Sequence, residues 1–206
     1  MTAPPVLIWS HFRHGSQSPF QKHIDAGMLR EVWESEMTEE DFEHAPAIMT
    51  TMHLDQIRAE NWRSAFSRLL ARGGRIAISG HIMRPFLDGL APYRPAEKCG
   101  REGLKLAVLA DHPVFDGIDR IYCGTRRGVA GFYGRGHNPM PQGGTALTGV
   151  GPARAPIDWV WNRPDGGSIF SHAGNDLWGV AEEPEITERL MDNLVHWLNG
   201  AIPTRS

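Results

Sequence analysis

The stretch Gly73-Gly74-Arg75-Ile76-Ala77-Ile78-Ser79-Gly80-His81 constrains the fold of this chain more than any other. Two adjacent glycines follow a helix-like run and supply the left-handed turn that ends it. Arg75 to Ser79 then reads as a short, mostly apolar strand of the kind buried on both faces of a parallel sheet. Gly80 breaks that strand and leaves His81 just past its carboxyl end. In an open α/β sheet this is the end where ligands bind.

The flanking sequence repeats the pattern. Val6-Leu7-Ile8-Trp9 within Pro5 to Ser10 predicts a first buried strand, and Ala45 to Thr51 a second. Asp55 is placed to cap a helix over Gln56 to Ala71, where Ile57, Trp62, Phe66, Leu69 and Leu70 recur at helical spacing. A helix is also expected within Ile24 to Glu36, and Thr38 to Phe42 reads as an acidic, solvated stretch. The order strand, helix, strand, helix, strand predicts parallel pairing of the strands centred on Leu7, Ile48 and Ile78, with the helix from Gln56 on the sheet face.

The second half is less regular. Leu104 to Ala110 reads as a strand, followed by His112-Pro113, where His112 sets a turn. Gly124 to Gly144 is a long specialised loop rich in Gly, Arg and Pro, and Thr145 to Thr148 a brief strand. Ile157 to Asn162 and Gly167 to Ser171 flank the turn sequence Arg163-Pro164-Asp165-Gly166, which predicts an antiparallel hairpin. A closing helix from Pro184 to Leu198 turns Ile186, Leu190, Leu194, Val195 and Trp197 inward. No linker or repeat interrupts the 206 residues, so a single domain over 1–206 is expected.

Composition narrows the partners. A formal charge of -3 gives no reason to expect nucleic acid or an anionic membrane as partner. No apolar run reaches the ~20 residues a bilayer span needs, and Met1 to Pro5 shows no signal-like segment. Two cysteines, Cys99 and Cys123, are too few for a disulfide framework, which favours a reduced, cytoplasmic protein. The sequence leaves a homo-oligomer open.

Three motifs, in order, resemble the ThuA-like (trehalose-utilisation) proteins: Gly73 to His81, His112-Pro113-Val114-Phe115-Asp116-Gly117, and Gly167 to Asn175 with Trp178 and the final helix. The resemblance covers most of the chain. It implies a class I glutamine-amidotransferase-like, flavodoxin-like three-layer sandwich with a mainly parallel sheet and a C-terminal hairpin and helix. It also implies a small-molecule enzyme of sugar or keto-sugar catabolism. In the amidotransferases a cysteine occupies the strand-to-helix elbow; here the elbow reads Ser79-Gly80-His81. His172 falls about where their histidine comes, but Asn175 and Asp176 follow it in place of a His-x-Glu pair. A cysteine-dependent glutaminase is therefore not expected. A catalytically silent domain that binds a metabolite or a partner protein is the competing expectation.

If the strands are parallel, five polar clusters meet at one sheet edge. They are His11 with His14, His53 with Asp55, Ser79 with His81, Tyr133 with Arg135 and His137, and His172 with Asn175 and Asp176. His81, His172 and Ser79 are the catalytic candidates, with the histidines as acid/base groups; the others are candidates for binding a small-molecule ligand. Each has a plainer reading, such as Asp55 as a helix cap or Tyr133 and Arg135 as loop pins. Two or three neutral histidines with a carboxylate also suit a divalent metal, although no pair has helical ligand spacing. Arg120, Arg126, Arg127 and Arg135 form a basic patch, either solvated loop charge or a seat for a carboxylate or phosphate. His23, His44 and His196 fall on solvated or helical stretches with no chemistry suggested.

Overall fold

A computed structural model describes residues 3–10, 17–97 and 100–200. His11, His14 and Cys99 lie outside the described residues. The chain begins with β1 (Val6–Trp9), α1 (Gln21–Asp25), β2 (Arg30–Trp33), α2 (Glu39–Glu43) and β3 (Ala47–Thr50). It continues through α3 (Gln56–Asn61), α4 (Arg63–Ala71), β4 (Arg75–Ser79), β5 (Arg94–Pro95) and β6 (Leu106–Val108). Then follow β7 (Thr125–Arg126), β8 (Val129–Ala130), β9 (Gly136–His137), β10 (Thr145–Val150), β11 (Ala155–Asn162), β12 (Ser168–His172) and α5 (Pro184–Leu198).

Among the described residues the main sheet has eight strands in the order β2-β1-β3-β4-β12-β11-β10-β6. From β2 to β12 all neighbours are parallel; from β12 to β6 all are antiparallel. The expected neighbours around Leu7, Ile48 and Ile78 are therefore adjacent and parallel. Gly73, at φ 88°, provides the left-handed turn into β4, and Gly80, at φ 102°, the turn out of it. The hairpin β11–β12 and the helix α5 also stand where their sequence signals put them.

Side chains alternate across the strands into two cores. Val6, Ile8, Ile48, Ile76 and Ile169 pack with Phe66, Leu69 and Leu70 of α4, whereas Leu7, Met49, Ala77 and Phe170 pack with Leu190, Leu194, Val195 and Leu198 of α5. Burying one such leucine or isoleucine is worth about 1.5–3 kcal/mol, so the two faces hold the sheet from both sides.

Four local expectations need correction. No helix fills Ile24 to Glu36: Gly27, at φ 68°, ends α1, and Arg30–Trp33 pairs with β1 as a half-buried edge strand. Thr38 to Phe42 is not simply solvated, because Thr38 and Asp41 form a capping box that starts α2 and Phe42 is buried. The Gln56–Ala71 helix breaks at Trp62 into α3 and α4, and Ile57 faces solvent. His23 is buried and meets Asp192 at 2.8 Å through Nε2.

Candidate functional site

The carboxyl ends of β4 and β12 are adjacent, with His172 opposite Ser79 in register. The Gly80 N–H donates to the His172 carbonyl at 2.9 Å, which ties the two strand exits together. Gly80 has no alternative here. Beyond its positive φ, an added Cβ would sit 2.7 Å from Cα of Met52.

Beside these exits lies a cleft of about 440 Å³, lined by residues that include Met52, His81, Phe132, Arg135, Gly174 and Asn175. That size suits a small ligand. The His81 ring stacks on Tyr93 with centroids 3.8 Å apart. It is open to the cleft, yet the cleft walls desolvate it and the nearby His172 acts in the same direction. Together they hold the His81 pKa below the usual imidazole range, so the ring is neutral at neutral pH.

His172 differs in every respect. It is fully buried. Its Nδ1 meets Asp158 Oδ1 at 2.6 Å, and the Tyr133 hydroxyl donates to Asp158 Oδ2 at 2.6 Å. Burial first, and then Asp158, push the Tyr133 phenol far above its usual pKa, so it stays a donor. Asp158 thus takes one contact at each oxygen, and its hold on Nδ1 fixes the His172 ring with Nε2 turned away from the carboxylate. That Nε2 has no hydrogen-bond partner among the described residues. It lies directly beneath the cleft floor, because a Cβ added to Gly174 would stand 2.6 Å from it and collide with the Tyr133 carbonyl. His172 therefore approaches the cleft through Gly174 without exposing surface of its own. The space at Gly174 is taken by the Tyr133 backbone rather than left for a ligand.

A second buried polar group braces the floor. The Asn138 side chain donates to the Gly80 carbonyl and to Ser171 Oγ, both at 3.0 Å, and accepts from the Ile82 N–H at 2.9 Å. Its backbone carbonyl accepts from the Trp159 indole at 2.8 Å.

The remaining candidates separate into those at the cleft and those elsewhere. Asn175 lines the cleft and donates to the Phe132 carbonyl at 3.0 Å, pinning the long loop to the floor. Arg135 lines it from that loop. Asp176 stands at its edge and accepts from the Met52 N–H at 2.6 Å. Ser79 is buried at the end of β4 and is not part of the lining. Asp55 caps α3, accepting from the backbone N–H groups of Ile57 and Arg58. His53 is exposed and, with Asp55, not part of the lining. His137 pairs with Arg94 in the small β5–β9 sheet and is likewise not part of the lining. The basic patch does not act as a unit. Arg120 is buried and donates to the carbonyls of Leu147 and Ala110, and Arg126 hydrogen-bonds the Gly179 carbonyl.

Among the described residues no three His, Cys, Asp or Glu side chains stand close enough to hold a metal ion. Cys123 is buried and free, and burial pushes its thiol up to about 11. No helix among the described residues is long and apolar enough to cross a membrane.

Asp158 and Asn138 escaped the sequence reading. The available signal was an acid between Ile157 and Trp159 in an otherwise apolar strand, since a carboxylate buried that way demands partners.

No protein-family model and no curated protein matches the chain. Solved structures do resemble it in fold. The mmIFT52 N-terminal domain superposes with a TM-score of 0.58 at 13% identity, covering 98% of this chain and 100% of that one. The cytoplasmic protein STM3548 from Salmonella typhimurium gives 0.56 at 10% identity, covering 94% and 98%. A Bacteroides uniformis protein described as putatively ThuA-like gives 0.51 at 14% identity, covering 96% and 93%. At these identities the likeness concerns the fold alone.

Proposed function

We propose that this chain is a single ThuA-like domain, a flavodoxin-like three-layer sandwich, that acts on a small sugar or keto-sugar in the cleft beside His81. The unpartnered Nε2 of His172 under the glycine floor carries the reading, because Asp158 orients the ring from behind as a base-orienting carboxylate does. His81 touches the ligand, and Asn175 and Arg135 bind it. His172 takes or returns a proton at Nε2. The proton crosses only if the backbone at Gly174 shifts or a water relays it. Neither cysteine takes part, and glutamine hydrolysis is not among the activities. A cytoplasmic location fits the free, buried thiol of Cys123.

A second reading is a silent ligand-binding domain. It is favoured by the complete burial of His172 and by the exposed apolar side chains of Met83 and Val129 at the cleft. Turnover screens against ketoses and disaccharides, with and without a divalent metal, separate the two. The enzyme reading expects His81→Ala to lower turnover at least tenfold while changing stability by less than about 0.5 kcal/mol, since the ring is not part of either core. Binding without turnover across the screen would sink it and leave the silent reading standing. His172→Ala is a poorer probe. A histidine just past a strand end is expected to lie outside the apolar core, with little cost to stability on removal, but the full burial of His172 against Asp158 overturns that expectation.

A further inference from the structure

The charge on the cleft wall is one-sided. Among the described residues lining it, Arg135 is the charged one and no aspartate or glutamate contributes, Asp176 standing only at the edge. The His81 imidazole beside it is neutral at neutral pH and adds no competing charge. Several arginines elsewhere meet carboxylates, as Arg30 does Asp41, Arg63 Asp88, Arg84 Glu60 and Arg163 Asp165. Arg72, Arg75 and Arg126, none of them part of this lining, are spent on backbone carbonyls. Arg135 makes no such pair among the described residues. Its one side-chain hydrogen bond there runs from Nη2 to the Ala130 carbonyl at 3.1 Å.

That single bond matters for geometry. It folds the side chain back over Gly131, where an added Cβ would meet Arg135 Cγ and Nε at 3.1 Å each. Gly131 itself lines the cleft. The guanidinium is therefore tethered at the wall by one N–H and keeps further donors of its planar fork for something else. A fork of this kind matches the two oxygens of a carboxylate or phosphate. A cation with no carboxylate partner among the described residues, held at the wall of a cleft of small-ligand size, selects for negative charge in what enters.

We infer that the ligand of this cleft is an anionic small molecule, its carboxylate or phosphate seated on Arg135 and its neutral, hydroxylated body lying toward His81. The inference rests on the cleft being the ligand site, and it specifies what that ligand must carry. It excludes a neutral sugar as the preferred occupant.

Calorimetric titration of the full chain with glucose, glucuronate and glucose 6-phosphate tests it. These probes share a ring and differ in having no anion, a carboxylate or a phosphate. At least one anion should bind ten times more tightly than glucose. Which one does so identifies the anion source. Arg135→Gln should bring the affinity for the preferred anion down to within about twofold of that for glucose measured on the same variant, and Arg135→Lys, which keeps the charge but not the fork, should restore part of the difference. Raising the salt concentration should weaken the anions and not glucose.

Equal binding of all three, an anion advantage that survives Arg135→Gln, or no binding by any probe would each overturn the inference. The outcomes also separate it from the reading it rests on. Glucose binding that is lost in His81→Ala, with no anion advantage, retains the cleft as the ligand site and removes only the anion. Tight anion binding without turnover retains the anion and removes the enzyme.

Discussion

The two halves of the sheet are built from different materials. From β2 to β12, β1 and β3 are buried along their full length and β4 and β12 nearly so, and contacts between apolar side chains hold the strands. From β11 to β6 the interior is threaded with polar groups. Asp158, Thr148, Tyr133, Asn138 and Arg120 are all buried. Arg120 reaches Thr148 Oγ1 at 3.1 Å, Tyr133 reaches Asp158, and Asn138 ties a loop to the exit of β4. Apolar packing tolerates small adjustments, whereas a buried polar network fails wherever one member is left alone. The candidate site straddles the line between the two, with His81 after the parallel strand β4 and His172 held by a carboxylate from the antiparallel β11.

The sharpest way to break this contrast is Asp158→Ala, which strands the Tyr133 hydroxyl and the His172 Nδ1 together. Two buried donors at about 1–3 kcal/mol each put the expected loss near ~4 kcal/mol in urea unfolding. Asp158→Asn, which keeps one acceptor, should lose less. A cost for Asp158→Ala below ~1 kcal/mol would show that the polar half does not depend on its network.

Next in size is a probe of the parallel half. Phe66→Ala on α4 should cost about 3 kcal/mol, at the low end for a buried phenylalanine, because the neighbouring rings of Phe42 and Phe86 can lean into the vacancy. The same variant should leave the His172–Asp158 contact intact, seen as an unchanged imidazole signal in NMR. If that signal moves, the halves are coupled and the contrast is too sharply drawn.

The smallest effect is spread over pH. Burial, and after it the charge of Arg120, push the His112 pKa down to about 4 from 6.5. Its Nδ1 accepts from the Val114 N–H at 3.3 Å, a role only the neutral ring can fill. A depressed folded pKa means that the unfolded chain takes up the proton first. Stability from this group is therefore complete above about 6.5 and falls as pH drops toward about 4. The upper bound is about 3.4 kcal/mol (about 2.5 pH units at about 1.36 each), and the ring's partial exposure reduces it to roughly 2–3 kcal/mol. His112→Asn, which can still cap Val114, should flatten that part of the stability profile. An unchanged slope would assign the acid sensitivity to other groups.

Sequence made the parallel half legible because glycine and apolar runs are local signals. Gly73 and Gly80 bracket β4, and α5 shows its inner face at a regular interval. The edge strand β2 was misread because Arg30-Glu31-Val32-Trp33 alternates polar and apolar residues only loosely, and its partner is distant in the chain. The lining of the candidate cleft is legible at His81, Arg135 and Asn175, each next to a glycine in a loop. Asp158 was not, because nothing local shows that a carboxylate in one strand will face an imidazole in the next. The split of the Gln56–Ala71 helix at Trp62 was hidden for the opposite reason, since both pieces share one apolar rhythm.

The place of β12 in the sheet also sets a schedule for synthesis. It pairs on one side with β4 and on the other with β11, so the parallel half has an unfilled edge until residue 172 has been made. Most of the core around α4 is encoded before residue 91, with Trp159 and Ile169 arriving later. The opposite face must wait for α5 at the end of the described chain. A nascent chain would thus emerge with one face of its sheet covered and the other bare, and would complete the candidate cleft only once Gly174 and Asn175, which line it, leave the ribosome.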